Sequence, residues 1–543
     1  MNDPCGAVFV PETKEYLFCY QWNPGTTDAG NSAWGMARST DLVTWEDLPP
    51  AILNGSSYDS LGVFSGSIVS RIIEGRRVLF LFYTSVSALP IHWSKEYIEG
   101  CESQSVAFST DFGRSWNRYE NNPLLTVPPK QETTTGWRDP FVSRWQGLSK
   151  LLGQDISTEY MMVASGERSV GSELHLYQSS DLLDWKPVST ILSVEEGSRV
   201  SPDDVSSDLR FGMNFECASF FSIGEHHYII VGIEDDDDSK RHNGHGLLWM
   251  CGDLVLKGGE PKFEIRSHGL LDHGVSYAAH IFRDEHGRIL QLGWADENAP
   301  QNIVQEQGWA GCLVHPSELY EISRPIEKNR RDGHAWKIAE ASGSMTTLGI
   351  RPAPQLSALR TNKEPSSFTS FSSLRSKNFE LRGSFRQPGN EKFIFNVRSS
   401  DLERTQVIFD CKNDCITIDR CSSSAENIGP KSPDTGPLCL GSGEDLDICI
   451  FVDVSIVEVY ANDRFAMTSR IYPSSEASVG VSYDFGGFDE RNVKLEVWDG
   501  LRPAWPYRDE KITEAGQSER ILEYHEASVI ASKEPARATV VAV

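Results

Sequence analysis

The feature that most constrains this chain is a short turn motif that returns at a fixed interval. Ser39-Thr40-Asp41 is followed by Trp45, Ser109-Thr110-Asp111 by Trp116, and Ser179-Ser180-Asp181 by Trp185. The three Asp residues follow one another at intervals of 70 residues. A weaker copy, Cys251-Gly252-Asp253, comes 72 residues later and lacks the Trp. Equal spacing of this kind signals one supersecondary unit repeated along the chain. Each copy follows a short run of strand character, such as Ser105-Val106-Ala107-Phe108 or Leu174-His175-Leu176-Tyr177. An Asp that bonds its own backbone, then an aromatic packed between sheets, accounts for the motif.

Between the copies, runs at 78–83, 160–164 and 228–233 read as strands, and no apolar stripe of helical period interrupts them. About four strands per unit, arranged radially, describes a propeller blade with long loops. Residues 1–345 hold five such units. From about Thr346 the texture changes. Gly349-Ile350-Arg351-Pro352-Ala353-Pro354 reads as a linker. Alternating strands follow, including Phe393-Ile394-Phe395-Asn396-Val397, residues 447–452 and Val457-Glu458-Val459-Tyr460. The expectation is an all-β chain: a five-bladed β-propeller over 1–345, a linker and antiparallel β-sandwich over 346–508, and a polar tail over 509–543.

Composition narrows the partners. The net charge of −26 opposes binding to nucleic acid or to an anionic membrane, whereas a neutral sugar meets no such repulsion. No apolar run approaches the roughly 18 residues that span a bilayer. The 11 cysteines are an odd number, and Cys19, Cys217, Cys312 and Cys449 sit singly in apolar runs, as buried thiols in a reducing compartment do. No basic segment followed by an apolar one opens the chain, and one ordinary glycosylation sequon occurs, at Asn54-Gly55-Ser56. An intracellular location is expected. Cys411, Cys415, Cys421 and Cys439 lack tight pairing and nearby His, so neither a metal nor a cofactor is expected.

Three acidic residues stand at nearly one phase of the repeat. Asp3 precedes Asp41 by 38 residues, Asp139 precedes Asp181 by 42, and Glu216 precedes Asp253 by 37. In the second unit that phase falls near Phe64-Ser65-Gly66-Ser67. If it lies on the innermost strand, three carboxyl groups converge on the axis and shift one another's pKa. Carboxyls pushed to different protonation states supply an acid and a nucleophile. Asp3 and Asp139 each precede Pro and also read as turn formers. Glu216 is a charge inside the apolar run Met213-Asn214-Phe215-Glu216-Cys217-Ala218-Ser219-Phe220, a place where charge is seldom kept without a role. The acidic stretch 234–238 reads as a solvated loop.

At these residues the chain resembles glycoside hydrolase family 32, the invertases, inulinases and fructosyltransferases. Asn2-Asp3-Pro4 is similar to that family's first motif, Trp137-Arg138-Asp139-Pro140 to its second and Phe215-Glu216-Cys217 to its third. Tyr20-Gln21-Trp22-Asn23-Pro24, Trp34-Gly35, Phe64-Ser65-Gly66-Ser67 and Gly308-Trp309-Ala310-Gly311 add to the likeness, as does Thr468-Ser469-Arg470 in the second domain. The resemblance covers about residues 1–500, and its ordered set of motifs is specific. It implies a propeller with a sandwich, agreeing with the repeat. It also implies a retaining enzyme acting on sucrose and fructo-oligosaccharides, with Asp3 as nucleophile, Asp139 as transition-state stabiliser and Glu216 as acid/base. Glu216 must then be protonated at working pH. Asn2, Gln21, Phe64, Ser65, Arg138 and Tyr277 are assigned by resemblance to the fructose subsite, and a homodimer is an open expectation.

Two positions depart from the pattern. Cys5 stands where many members carry Asn, a form similar to fungal sucrose-active and transfructosylating members, so water and sugar both remain open as acceptors. Only Met1 and Asn2 precede Asp3, which leads one to expect a weakly anchored first strand. Two other readings compete. Ser109-Thr110-Asp111-Phe112-Gly113-Arg114-Ser115-Trp116 resembles the Asp-box of sialidases, although the arginine cluster and Tyr nucleophile of those enzymes have no counterpart here. A non-catalytic sugar-binding propeller is the other, opposed by the intact carboxylates.

Overall fold

Strand after strand pairs with its immediate successor, because short turns leave antiparallel neighbours as the nearest partners. The computed structural model describes residues 1–506 except 24–26, 28–30, 131, 200–209, 235–243, 329 and 364–375. Four four-stranded antiparallel sheets come first, and a six-stranded sheet running to Pro352 completes the set. Their first strands are Pro4–Val10, Gly62–Ile73, Thr134–Arg144, Asn214–Ile223 and Ser276–Arg283. Each of these packs against the next, and the fifth returns to the first. That closed ring is the axis of a five-bladed propeller.

The second domain is a β-sandwich of six- and five-stranded sheets, with Phe379, Phe393, Phe395, Ile450 and Val459 buried between them. It shares a core with the propeller, since Phe451, Tyr460 and Ala466 join the cluster that holds Phe220, Trp249 and Ile281. Buried polar bonds tie the same face: Asp272 accepts from the backbone and hydroxyl of Thr468 at 3.2 and 2.8 Å. His315 meets Glu458 at 2.7 Å.

The repeated turns are equivalent. Ser39, Ser109 and Ser179 each end the third strand of a blade, and each hydroxyl donates to the Asp two residues on, at 3.0, 2.7 and 3.0 Å. The next residue is left-handed in all three: Leu42, Phe112 and Leu182 have φ of 67, 63 and 71°. Trp45, Trp116 and Trp185 then pack against the preceding blade, Trp185 meeting Phe82 edge-on at 5.8 Å.

Three expectations are corrected. Cys251-Gly252-Asp253 is no turn but the middle of the strand His245–Lys257, where Asp253 binds Arg266 and Lys337. Residues 349–352 of the stretch read as a linker belong to the strand Ser344–Pro352, and the link is the short 3-10 helix Pro354–Leu359 that Pro354 opens. The first strand is anchored: Asn2 N–H donates to Gln21 O at 3.2 Å, Gln21 N–H to Asp3 O at 2.9 Å, and the Met1 ammonium to Ala310 O at 2.9 Å. The segment 509–543 lies outside the described residues.

Partial burial opposes ionisation of Asp181, but the N–H groups of Asp184 and Leu183 hold its pKa below the usual value. Asp181→Ala should therefore lower stability near neutral pH by less than about 1 kcal/mol, because solvent screens so exposed a turn. A group with a depressed folded pKa stabilises above its unfolded pKa and stops doing so as pH falls through the folded one. In denaturation curves the gap between variant and parent should close in acid, and a gap that persists there would contradict the turn's ionic character.

Candidate active site

All five inner strands carry a bulge at the same level. Pairing with the second strand skips between Pro4 and Gly6, Phe64 and Gly66, Arg138 and Phe141, Glu216 and Ser219, and Tyr277 and His280. A bulge bends its strand and re-aims a side chain. Asp139, Cys217 and Ala278 sit in these bulges with φ of 63, 46 and 50°, a conformation that non-glycine residues rarely keep without reason. By register Glu216 matches Phe64, Arg138 and Tyr277, while Asp139 matches Ser65 and Cys217. The three carboxylates thus occupy neighbouring levels of the ring rather than one phase.

Asp3 lies at the mouth of the first strand. Its Oδ2 accepts from the Ser65 hydroxyl at 2.6 Å and the Gln21 amide at 3.2 Å, while among the described residues Oδ1 takes only the long Asn2 amide contact of 3.3 Å. Gln21 also donates to Ser65 at 2.5 Å. Burial raises the Asp3 pKa; the Ser65 bond works against that, and the charge of Glu216 adds to it. Cys5 Sγ lies 3.2 Å from the Asp3 backbone carbonyl and 3.8 Å from the Ser65 hydroxyl that binds the Asp3 carboxylate.

Asp139 is buried. Its N–H donates to Thr84 Oγ1 at 2.8 Å, and its Oδ2 accepts the Cys217 N–H at 2.9 Å. Burial and then Glu216 push its pKa well up against the pull of Arg138. Cys217 Sγ bridges the site, 3.6 Å from both Asp3 Oδ2 and Asp139 Oδ2. Glu216 is held by one donor on each oxygen, Arg138 Nη1 at 2.8 Å and the Tyr277 hydroxyl at 2.9 Å. Tyr277 is in turn stacked on His245, ring centroids 4.5 Å apart. Phe64 is half-buried beside them, its carbonyl accepting from Trp34 Nε1 at 3.1 Å.

Arg138 is the hub. Nε meets Glu102 at 2.5 Å, Nη1 reaches Glu234 at 3.3 Å as well as Glu216, and Nη2 is buried with no partner among the described residues. Gly136 makes room for it, since a Cβ there would lie 2.5 Å from Nη2. Glu234 corrects the reading of 234–238 as a solvated loop. It ends the strand His226–Glu234 inside the site, bound by Asn214 at 2.9 Å, and 235–238 lie outside the described residues. Burial, reinforced by Glu216 and opposed by Arg138, raises the Glu234 pKa to about 8.

Glu102, Glu234, Asn214, Thr84 and His245 escaped the sequence reading. Four belong to second and third strands and Asn214 opens an inner one, and only tertiary packing brings them together here. The floor beneath is nearly closed. A cavity of about 10 Å³ among Pro4, Ser65, Asp139, Phe141, Cys217 and His280 has room for at most one water. A cavity of about 500 Å³ at Tyr320, Arg324, Glu444 and Asp463 contains none of these groups.

Carboxyl groups held in different surroundings around one arginine are equipment that an acid and a nucleophile of glycoside cleavage require. Residues 1–328 match the Glycosyl hydrolases family 32 N-terminal domain, and 351–499 match the Glycosyl hydrolases family 32 C terminal. The chain belongs to glycosyl hydrolase family 32. It is a glycoside hydrolase of the β-fructofuranosidase type. A sucrose-6-phosphate hydrolase of Zymomonas mobilis subsp. mobilis is 27% identical over 505 residues, 90% of this chain and 88% of that protein. The solved structure of Aspergillus kawachii beta-fructofuranosidase complexed with glycerol superposes with a TM-score of 0.80 at 27% identity, over 93% of each chain. A fructosyltransferase from A. japonicus shares the fold, with a TM-score of 0.80 at 24% identity over 93% of this chain and 94% of that one.

The Ser65 hydroxyl stabilises ionised Asp3, so Ser65→Ala should raise the Asp3 pKa further. If ionised Asp3 is needed for turnover, the acid limb of kcat/KM moves to higher pH in that variant. An unmoved limb, or one displaced toward acid, would contradict the assigned bond.

Proposed function

We propose that the protein hydrolyses the β-fructofuranosyl bond of sucrose and related fructosides with retention, through a fructosyl-enzyme ester on Asp3. The observation that carries this reading is the pairing of Asp3, whose Oδ1 is nearly free, with Glu216, whose carboxyl plane is fixed by Arg138 and Tyr277. In the first step Asp3 Oδ1 attacks the anomeric carbon and forms a C–O bond. The bond from that carbon to the leaving sugar's oxygen breaks, and the Glu216 proton goes to that oxygen. In the second step Glu216 takes a proton from water, whose oxygen replaces Asp3 at the anomeric carbon, and the Asp3 carboxylate is freed.

Asp139 and Arg138 act on the fructose hydroxyls. The unpartnered Nη2 of Arg138 is a charged donor already in place, so the ring hydroxyl it meets needs no reorganisation as charge develops. Glu234, whose pKa burial and Glu216 raise, can in its protonated form donate to the same sugar. A second sugar in place of water gives transfer from the same intermediate, and Cys5 and the fungal likenesses keep this outcome within the reading. Free glucose in excess of free fructose in concentrated sucrose would measure it.

Asp3→Asn should lower kcat by about ten-thousandfold with the fold intact. Glu216→Gln should lose about a hundred- to ten-thousandfold on sucrose, and far less in fructosylation by a fructoside whose leaving group needs no proton. Asp139→Asn should slow both substrates alike. Equal losses of Glu216→Gln on both would remove the acid role, and near-normal turnover by Asp3→Asn would remove the site.

A further inference from the structure

An arginine of the sandwich grips the propeller segment that adjoins Met1. Arg470 ends the strand Phe465–Arg470, is 1% exposed, and comes from the second domain. Its Nη2 binds Glu297 at 2.9 Å and its Nη1 contacts Cys312 Sγ at 3.2 Å, two points at opposite ends of one propeller segment. Glu297 also accepts from Gln307 at 3.0 Å and from the Tyr472 hydroxyl, and Gln307 donates to Trp309 O at 2.6 Å. The guanidinium lies over the Trp309 indole, 5.6 Å from the ring centroid, yet Trp309 remains 46% exposed.

The other side of this segment presses on the catalytic wall. Ala310 O receives the Met1 ammonium at 2.9 Å, two residues before Asp3. A Cβ on Gly311 would lie 2.4 Å from Met1 O and 2.2 Å from Trp294 Nε1, so the contact has no slack. Trp294 pairs with Tyr277, which holds Glu216. A large exposed indole held beside the Ala310–Met1 contact, close in sequence to Asp3, is a surface on which a sugar ring can lie.

We propose that Arg470 is a positioning residue of the active site: from the sandwich it fixes the segment 297–312, and with it the Trp309 indole, against the wall that carries Asp3. The proposal rests on the fructosidase reading for its kinetics alone. Removing the clamp loosens the rim without touching the reacting atoms, so binding of the sugar beyond the fructosyl unit suffers more than chemistry.

The test is a cycle of Arg470→Lys, Trp309→Ala and the double variant, assayed on sucrose, with hydrogen exchange measured on the same proteins. Arg470→Lys keeps the charge and loses the two-point grip. It should raise KM about tenfold with kcat within about twofold, and the double variant should be no worse than Trp309→Ala. Amides of 297–312 should exchange at least about tenfold faster in Arg470→Lys, with the inner strands unchanged. Additive effects on KM, or a lowered melting temperature with KM and exchange unaltered, would overturn the proposal. Should Arg470→Lys fail to fold, Glu297→Gln weakens the same clamp, and the same two readouts decide. If the parent cleaves no fructoside, the fructosidase reading falls, and the exchange of 297–312 still decides the clamp.

Discussion

Everything at the axis answers to one electrostatic constraint. Five carboxyl groups, those of Asp3, Glu102, Asp139, Glu216 and Glu234, converge on a space in which Arg138 is the one guanidinium among the described residues. Like charges at such range oppose one another's ionisation, and burial together with Glu216 pushes the pKa values of Asp3, Asp139 and Glu234 upward. A flexible scaffold would relieve this repulsion by moving apart. The closed ring of five inner strands prevents that, since each strand is wedged between two others and paired along its length with a second.

The bulges convert that rigidity into function. A regular strand alternates its side chains, so successive residues cannot both face the axis. An extra residue in each inner strand breaks the alternation and lets Arg138 with Asp139, and Glu216 with Cys217, serve the same pocket. The strained φ of Asp139, Cys217 and Ala278 is supported by the surrounding ladders. The sandwich docks on the fifth blade, where Thr468 binds Asp272 just before the inner strand and Arg470 binds Glu297 just after the second strand.

Much of this was legible in the sequence because it is local. The Ser-x-Asp turn closes within a few residues, so its copies keep their residue types and reveal the period. The charge of Glu216 within an apolar run was visible for the same reason. What escaped depends on distant pairing. The intervals of 38, 42 and 37 residues look like loose phase, but they hide the bulges. Glu234 reads as the start of an acidic loop because four Asp follow it, whereas the strand before it carries it inward beside Asn214. Asp253 shows the opposite error, a repeat-like triplet placed by the long strand around it.

The claim on which the account turns is that Asp3 becomes covalently bonded to fructose. Glu216→Gln, mixed with a fructoside carrying an activated leaving group and quenched in acid, should form the ester quickly and hydrolyse it slowly, because the base of the second step is gone. Peptide mass mapping should then find one fructosyl residue on the peptide that contains Asp3. A burst of leaving group with no labelled peptide, or a label on any other carboxylate, would contradict it.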